Sequence, residues 1–504
     1  MKENTNKSLV LNSIILYVRL IITSLCGFIA TRYALSAIGI VDYGLFSVMG
    51  SIITFISIIN TIMVSTSNRY IAVAIGEGDT LAANKLFNIC LQIHAVVAVL
   101  TFLFAFPIGY WYIGHVLNYE GDIYNAYYIF TASTLVSIFS FLIVPYQGLI
   151  TAKERFFIFC IPDIISSILR LCLAYILLFY FEQKVIIYAT FIAITTIYPS
   201  AFYIYYCKKH FGEIVRLKFI RDKNKTREII GFSTWVAYGA VAYVSRAQGA
   251  AILVNAFFNT VMNTALGIAN SINSIIGLVA KSISQPIDPQ VTKAYSSGDK
   301  LRCNKLLIFS TKITYLVVFL VSVPFLVECE WILSIWLGQI PPYATSFTLL
   351  IIADTLLDSL NSGIKSIIFA SGKIKLFQII PSTLKLLSII AAFVALKLGY
   401  PPYSLLVAYI GFTFLIILAN QWILHRELGY DNSILIKNSY FPSLCISIGF
   451  LPMLYLCNIL NLHPVLSIVL SLFYSLILVY IIVLKKEERN FIANAIAGFF
   501  RRFM

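Results

Sequence analysis

Three arginines lie deep inside otherwise apolar stretches of this 504-residue sequence: Arg19, Arg170 and Arg246. A charged side chain at the centre of a membrane helix costs roughly 2.5–3.5 kcal/mol on insertion scales, so together the three cost roughly 8–10 kcal/mol unless paired or hydrated. The runs that hold Arg19 and Arg246 contain no carboxylate. That predicts guanidinium groups without a local partner, facing a water-filled vestibule. There their planar forks can grip a phosphate through two parallel hydrogen bonds. In the competing reading they bond carbonyls and hydroxyls of neighbouring helices and act only as structural glue. Lys385 is similarly deep and reads equally as cavity lining or as structure.

Asp354 and Asp358 stand four residues apart, which puts both on one face of a helix. Carboxylates at membrane depth can carry a coupling proton or sodium ion. They can equally neutralise Arg246 or Lys385. Side-chain amides at Asn60, Asn270 and Asn273 lie in two runs that hold the same place in an internal repeat, and polar faces of this kind suit either a wet cavity for sugars or hydrogen bonds between helices. Asp163 and Asp288 lie near inner ends and read as caps or gate contacts. Lys281, Lys312 and Lys365 read as cations that snorkel to the interface.

The elements that must position these residues follow from composition. Of the residues, 60% are apolar and only 12% charged, against about 45–50% and about a quarter in soluble domains. So few charges cannot cover a globular surface. A soluble enzyme, a DNA-binding module and a disordered chain are therefore disfavoured. A bilayer core needs about 20 apolar residues per helix. Fourteen such runs are present, near 9–31, 43–67, 86–110, 123–149, 157–180, 185–207, 229–258, 264–287, 306–328, 345–370, 376–396, 402–424, 439–460 and 463–484. The expected fold is all-α and polytopic.

With the N-terminus placed in the cytoplasm, 27 of the 37 Lys and Arg fall in inside segments, and only Arg32, Lys184 and Lys397 fall outside. That split follows the positive-inside rule and also puts the C-terminus inside. It accounts for the net charge of +15 without nucleic acid.

The two halves align at a constant offset of 220: Gly78-Asp79 with Gly298-Asp299, Asn84-Lys85-Leu86 with Asn304-Lys305-Leu306, Lys153 with Lys373, Phe157 with Phe377. Six spans per repeat make both halves enter the membrane in the same direction, a parallel repeat about an axis along the membrane normal. The expected organisation is a six-helix lobe over 1–208, a basic cytoplasmic linker over 209–228, a second six-helix lobe over 229–428, and two further helices with an amphipathic tail over 429–504. In the linker, Phe211, Ile214, Val215 and Phe219 predict one apolar face of a helix lying on the inner leaflet, with a solvated linker as the alternative.

Catalytic signatures are missing. The sequence has no G-x-x-x-x-G-K-[ST], H-E-x-x-H or G-x-S-x-G. The five histidines are isolated, and the nine cysteines are scattered without a C-x-x-C. Neither an enzyme nor a metal site is expected, and no cofactor beyond a coupling ion.

The stretches GIVDYGLFSVMGSI (39–52), STSNRYIAVAIGEGD (65–79) and VPYQGLITAKERFFIF (144–159), with the echo IKSIIFASGKIKLFQ (364–378), resemble the polysaccharide transporter branch of the multidrug/oligosaccharidyl-lipid/polysaccharide exporter superfamily. The likeness runs along essentially the whole chain and is greatest to O-antigen and capsule repeat-unit flippases. It implies a cargo: an undecaprenyl-diphosphate-linked oligosaccharide moved across the bacterial inner membrane by ion-coupled alternating access. It also implies a cavity lined by cations, which matches Arg19, Arg170 and Arg246. Membrane lipids and a polysaccharide polymerase are the other partners to expect, with the chain itself a monomer. The rivals are a multidrug cation exporter of the same superfamily and a membrane-embedded polysaccharide polymerase or glycosyltransferase. The short outside loops argue against the last.

Overall fold

The computed structural model describes residues 2–56, 71, 75, 79–153, 155–460 and 462–483, and nearly all of these are helical. In chain order the first helices are α1 (Lys2–Ile56), α2 (Thr80–Leu100), α3 (Phe106–His115), α4 (Ile123–Ala152), α5 (Phe156–Ile176), α6 (Lys184–His210), the single turn α7 (Gly212–Val215), and α8 (Lys223–Phe257). They are followed by α9 (Thr260–Ser296), α10 (Lys300–Leu337), α11 (Ala344–Ser359), α12 (Ser362–Ser371), α13 (Ile374–Lys397), α14 (Ser404–Leu428), α15 (Asn432–Leu435), α16 (Phe441–Leu460) and α17 (Pro464–Leu478). Contacts divide the chain into two units, Met1–Gly267 with Leu337–Pro342, and Ile268–Trp336 with Tyr343–Met504.

Among the described residues ten helices are long and apolar enough to cross a membrane, and eleven if α11 and α12, bent by 43° at their junction, form one span. The fourteen runs read from the sequence are compatible with this. α1 holds the first of them and the second as far as Ile56, because its 55 residues contain a break at Gly39 (φ 83°, ψ 170°). A straight helix of that length would run about 80 Å, far beyond a bilayer core of about 30 Å. Only glycine adopts this backbone without a Cβ clash. α5 and α8 hold two further runs. The C-terminal tail expected to be amphipathic lies outside the described residues.

The offset of 220 reappears in the packing. α2 starts at Thr80 and α10 at Lys300, and each has an aspartate cap one residue earlier. Asp79 accepts from the N–H groups of Leu81 and Ala82 at 2.8 and 3.0 Å, and Asp299 from that of Arg302 at 2.9 Å. The break at Gly39 has its counterpart at Asn259, between α8 and α9. One buried cluster in the first unit contains Ile71, Ala83, Phe87, Tyr203 and Val215. A buried cluster in the second contains Val291, Cys303, Leu307, Ile423 and Leu435, the same five places shifted by 220. The two helices outside the repeat close on α10, where Ile446, Phe450 and Val483 pack against Tyr315 and Phe319.

The basic segment between the repeats departs from expectation. Between the end of α6 at His210 and the start of α8 at Lys223 it is helical only over Gly212–Val215 and has no helix over 216–222. Ile214 and Val215 turn inward against Phe87, Tyr203 and Cys207 instead of facing a leaflet, while Phe219 is exposed. The cause is a ladder of amides on α2. Asn84 Nδ2 donates to the carbonyls of Ile214 and Arg216 at 2.7 and 2.8 Å. Asn88 Nδ2 donates to the Arg216 carbonyl at 3.0 Å, and its Oδ1 accepts from the Lys218 N–H at 2.9 Å. The Gln92 amide, turned so that both ends are satisfied, pairs with the N–H and carbonyl of Ile220 at 2.8 and 2.9 Å. Four residues of helix rise about 6 Å, and two residues of extended chain about 6.6 Å, so the two periods stay in step. Backbone groups held in this way are unavailable for a helix. At the end of the strap, Asp222 pairs with Lys85 Nζ at 2.8 Å and caps α8 through the Lys225 N–H at 2.9 Å.

Candidate functional site

In the first unit, α1, α5 and α6 bring an ionic cluster together. Arg19 of α1 forms an ion pair with Asp163 of α5. The other oxygen of Asp163 accepts from the Tyr203 hydroxyl of α6 at 3.0 Å. The expectation that Arg19 has no local partner is therefore corrected: its carboxylate comes from another run. Asp163 is neither a cap nor an isolated end residue. The pair stays partly open, with side-chain exposures of 37% for Arg19 and 23% for Asp163, so water or a ligand can reach it.

Arg170 lies two turns beyond Asp163 on the same helix, hence on nearly the same face. Its Nε donates to Thr195 Oγ1 at 2.9 Å and its Nη2 to Thr196 Oγ1 at 2.7 Å. Both threonines can accept because each sends its own proton to a carbonyl one turn back, at Phe191 (2.9 Å) and Ile192 (2.8 Å). A guanidinium has five N–H donors. The three that remain on Arg170 have no partner among the described residues. Two guanidinium groups thus lie along one helix face that carries one carboxylate, and only Arg19 is paired with it. Arg246 is half-buried on α8, which packs against α1.

The second unit gathers acids and amides. Asp354 on α11 is half-buried and accepts from the Thr413 hydroxyl of α14. The next residue, Thr355, donates to Asn273 Oδ1 of α9 at 2.6 Å. Asp358 is exposed and lies two residues before the junction of α11 and α12, where the buried Asn361 accepts from Asn420 Nδ2 at 2.8 Å. Asn270 is exposed on α9, and Lys385 half-buried on α13. Asn60 lies outside the described residues. Asp288 accepts from the Ser366 hydroxyl. Lys312 corrects the snorkelling expectation, being only 4% exposed within α10. Lys281 and Lys365 are exposed.

Sequence reasoning missed Tyr203, Thr195 and Thr196. The adjacent threonines in an apolar run were the available signal, since two hydroxyls side by side at membrane depth ask for a shared donor.

No protein-family model matches the chain, and no curated protein sequence matches it. Solved structures do. The lipid II flippase MurJ in an inward closed conformation matches with a TM-score of 0.71 at 16% identity, over 94% of this chain and 98% of that one. An inward-facing multidrug resistance MATE family transporter of the MOP superfamily matches at 0.66 and 12%, over 81% and 98%. The MATE multidrug transporter DinF-BH matches at 0.57 and 17%, over 85% and 96%. At these identities the likeness is one of fold. The structures that share it are transporters and flippases rather than enzymes.

Proposed function

We propose that this multi-pass membrane protein, built on the MOP-superfamily exporter fold, is a flippase for an anionic lipid-linked oligosaccharide. The cargo we infer is an undecaprenyl-diphosphate-linked repeat unit of a surface polysaccharide, carried across a bacterial inner membrane with both protein termini in the cytoplasm. The observation that carries the reading is the pair of arginines, Arg19 on α1 and Arg170 on α5, set beside the one carboxylate Asp163. Arg19 pairs with Asp163, while Arg170, seven residues beyond Asp163 on the same helix, bonds only threonine hydroxyls among the described residues and keeps donors to spare.

The chemistry of the cluster suits a diphosphate. Asp163 holds Arg19 in place while the site is empty. A diphosphate brings more negative charge than one carboxylate and displaces it, and Tyr203 keeps Asp163 hydrogen-bonded during the exchange. Because the ions are already partly withdrawn from water, exchanging anions costs less desolvation than charging an apolar site anew. Arg170, held edge-on by two threonines, presents its remaining fork for bidentate capture. Arg246 in the first unit and Lys385 in the second are further cations proposed for the cargo, and Asn60, Asn270 and Asn273 are the amides proposed for its sugar. Asp354 and Asp358 carry the coupling proton or sodium ion, with alternating access by the two halves. The chain works as a monomer beside a polysaccharide polymerase.

The test is a deletion strain assayed for lipid-linked repeat units on the cytoplasmic leaflet. Units should accumulate there and surface polysaccharide should vanish, with rescue by the wild-type chain and not by Arg170→Gln. Normal surface polysaccharide in a strain without a second flippase overturns the reading. A second reading, a multidrug cation exporter, draws on Asp354 and Asp358, the carboxylates a cationic drug would seek. It predicts the opposite result in the same strain, drug sensitivity with intact polysaccharide.

A further inference from the structure

The strap that joins the two repeats borders a cavity of about 500 Å³ lined by Gln92, Phe219, Ile220, Arg221, Lys223 and Arg227, among others. Asp222 also faces it, but its carboxylate is already taken by Lys85 and by the Lys225 N–H. Arg221 rests its guanidinium over the Phe219 ring, 5.7 Å from the centroid. No acidic partner is found for Arg221, Lys223 or Arg227 among the described residues. Among the described residues the cavity therefore carries three cations without an acidic partner, beside an aromatic wall.

The strap is also amphipathic in a way that its extended form dictates. Alternate residues of an extended chain face opposite sides. The backbone groups of Arg216, Lys218 and Ile220 bond the amides of α2, while the side chains of Leu217 and Phe219 stand 65% and 79% exposed. Two large apolar groups projecting from a basic segment, on the side that the Lys and Arg distribution assigns to the cytoplasm, fit a membrane interface. The apolar side chains enter the acyl boundary and the cations meet phosphates.

We propose that this cavity binds the phosphate headgroup of an anionic phospholipid of the cytoplasmic leaflet. Arg221, Lys223 and Arg227 hold the phosphate, and Leu217 and Phe219 lie along the acyl chains. The lipid would fasten the strap, and with it the start of α8, to the leaflet surface. The site is separate from Arg19, Asp163 and Arg170, and binding here does not depend on what the chain transports.

The experiment uses the purified full chain in detergent, with native mass spectrometry and melting curves on added phosphatidylglycerol, phosphatidylcholine or inorganic phosphate. Phosphatidylglycerol should bind and raise the melting temperature. The variant R221Q/K223Q/R227Q should bind it at least about tenfold more weakly, while melting like wild type without added lipid. L217S/F219S should weaken phosphatidylglycerol binding and leave the three cations in place. Equal binding of phosphatidylglycerol by wild type and the triple variant overturns the proposal, as does equal binding of phosphatidylcholine. A full wild-type response to inorganic phosphate alone also overturns it, since the site would then be one for a free anion.

Discussion

Arg19 and Asp163 meet across two helices that lie far apart in the sequence, and the Tyr203 hydroxyl fixes the carboxylate from the other side at 3.0 Å. Removing one member of a withdrawn ion pair leaves the other exposed to the cost of its own charge. Asp163→Asn should therefore lower melting temperature and yield, and Arg19→Gln likewise. The double variant should recover much of that stability by double-mutant cycle, because neither charge is then stranded. Transport of lipid-linked units should stay abolished in the double variant if Arg19 takes the cargo. Full transport in that background excludes the role.

Arg170 tests geometry apart from charge. Lysine keeps the charge but has no fork and no second edge to present while held by two hydroxyls. Arg170→Lys should fold normally and lose most transport, roughly tenfold or more, given that a charge-assisted hydrogen bond is worth about 1.5–3 kcal/mol. Thr195→Val with Thr196→Val should give a milder loss of the same kind. Wild-type rates in a vesicle flipping assay for Arg170→Lys would show that only charge matters there.

The strap is held by side chains, so its release should be local. Each neutral hydrogen bond contributes about 0.5–1.5 kcal/mol, and Asn84→Ala with Asn88→Ala removes several. Trypsin cleavage after Lys218 should then speed up about tenfold or more, while global melting changes little, because proteolysis follows the local opening equilibrium. Unchanged cleavage would mean that Ile214 and Val215 alone secure the segment.

Strap docking should also depend on pH in one direction. The hydrogen bond from Lys85 and that from the Lys225 N–H hold the Asp222 carboxyl below its ordinary value. A carboxylate whose folded value is depressed stabilises the fold above its unfolded value, and that contribution fades as pH falls through the folded one. Hydrogen exchange of residues 212–227, corrected for intrinsic rates, should be flat from about pH 5 to 8 and rise below about pH 4. Asp222→Asn should remove the acid dependence and leave exchange raised throughout.

Close approach of backbones gives a steric prediction. A Cβ at Gly44 would collide with the Thr260 carbonyl and with Thr264 Oγ1, whose hydroxyl bonds the Ile40 carbonyl. Gly44→Val should cost about 1–3 kcal/mol by overpacking, read as a fall in melting temperature. Gly50 has open space around its Cβ position, and Gly50→Ala should leave melting unchanged or raise it.

Much of the frame was legible in the chain because apolar length and repeat spacing act locally. The Gly-Asp pairs at 78–79 and 298–299 and the separate apolar runs 9–31 and 43–67 on either side of Gly39 could be read in this way, whereas the matched buried positions come from packing between helices. The partner of Arg19 was hidden because pairing is decided by which helices touch, and no local pattern encodes that. The strap was misread for a related reason: Phe211, Ile214, Val215 and Phe219 have helical spacing, yet Asn84, Asn88 and Gln92 compete for the backbone from another helix. Lys312 looked like a cation reaching for the interface, and packing around α10 covers it instead.

The matched scaffold carries unmatched charge. Where the first half has Arg19, Asp163 and Arg170, the second has Gly239, Thr383 and Ile390; where the second has Asp354 and Asp358, the first has Thr134 and Ile138. Two copies of one fold have thus parted electrically while their buried residues still correspond. Under the function proposed above, change can proceed on one side at a time: the copy with Arg19 and Arg170 can be retuned to a new passenger without disturbing Asp354 and Asp358 of its twin, and the twin can change its proposed ion without rewriting what is carried.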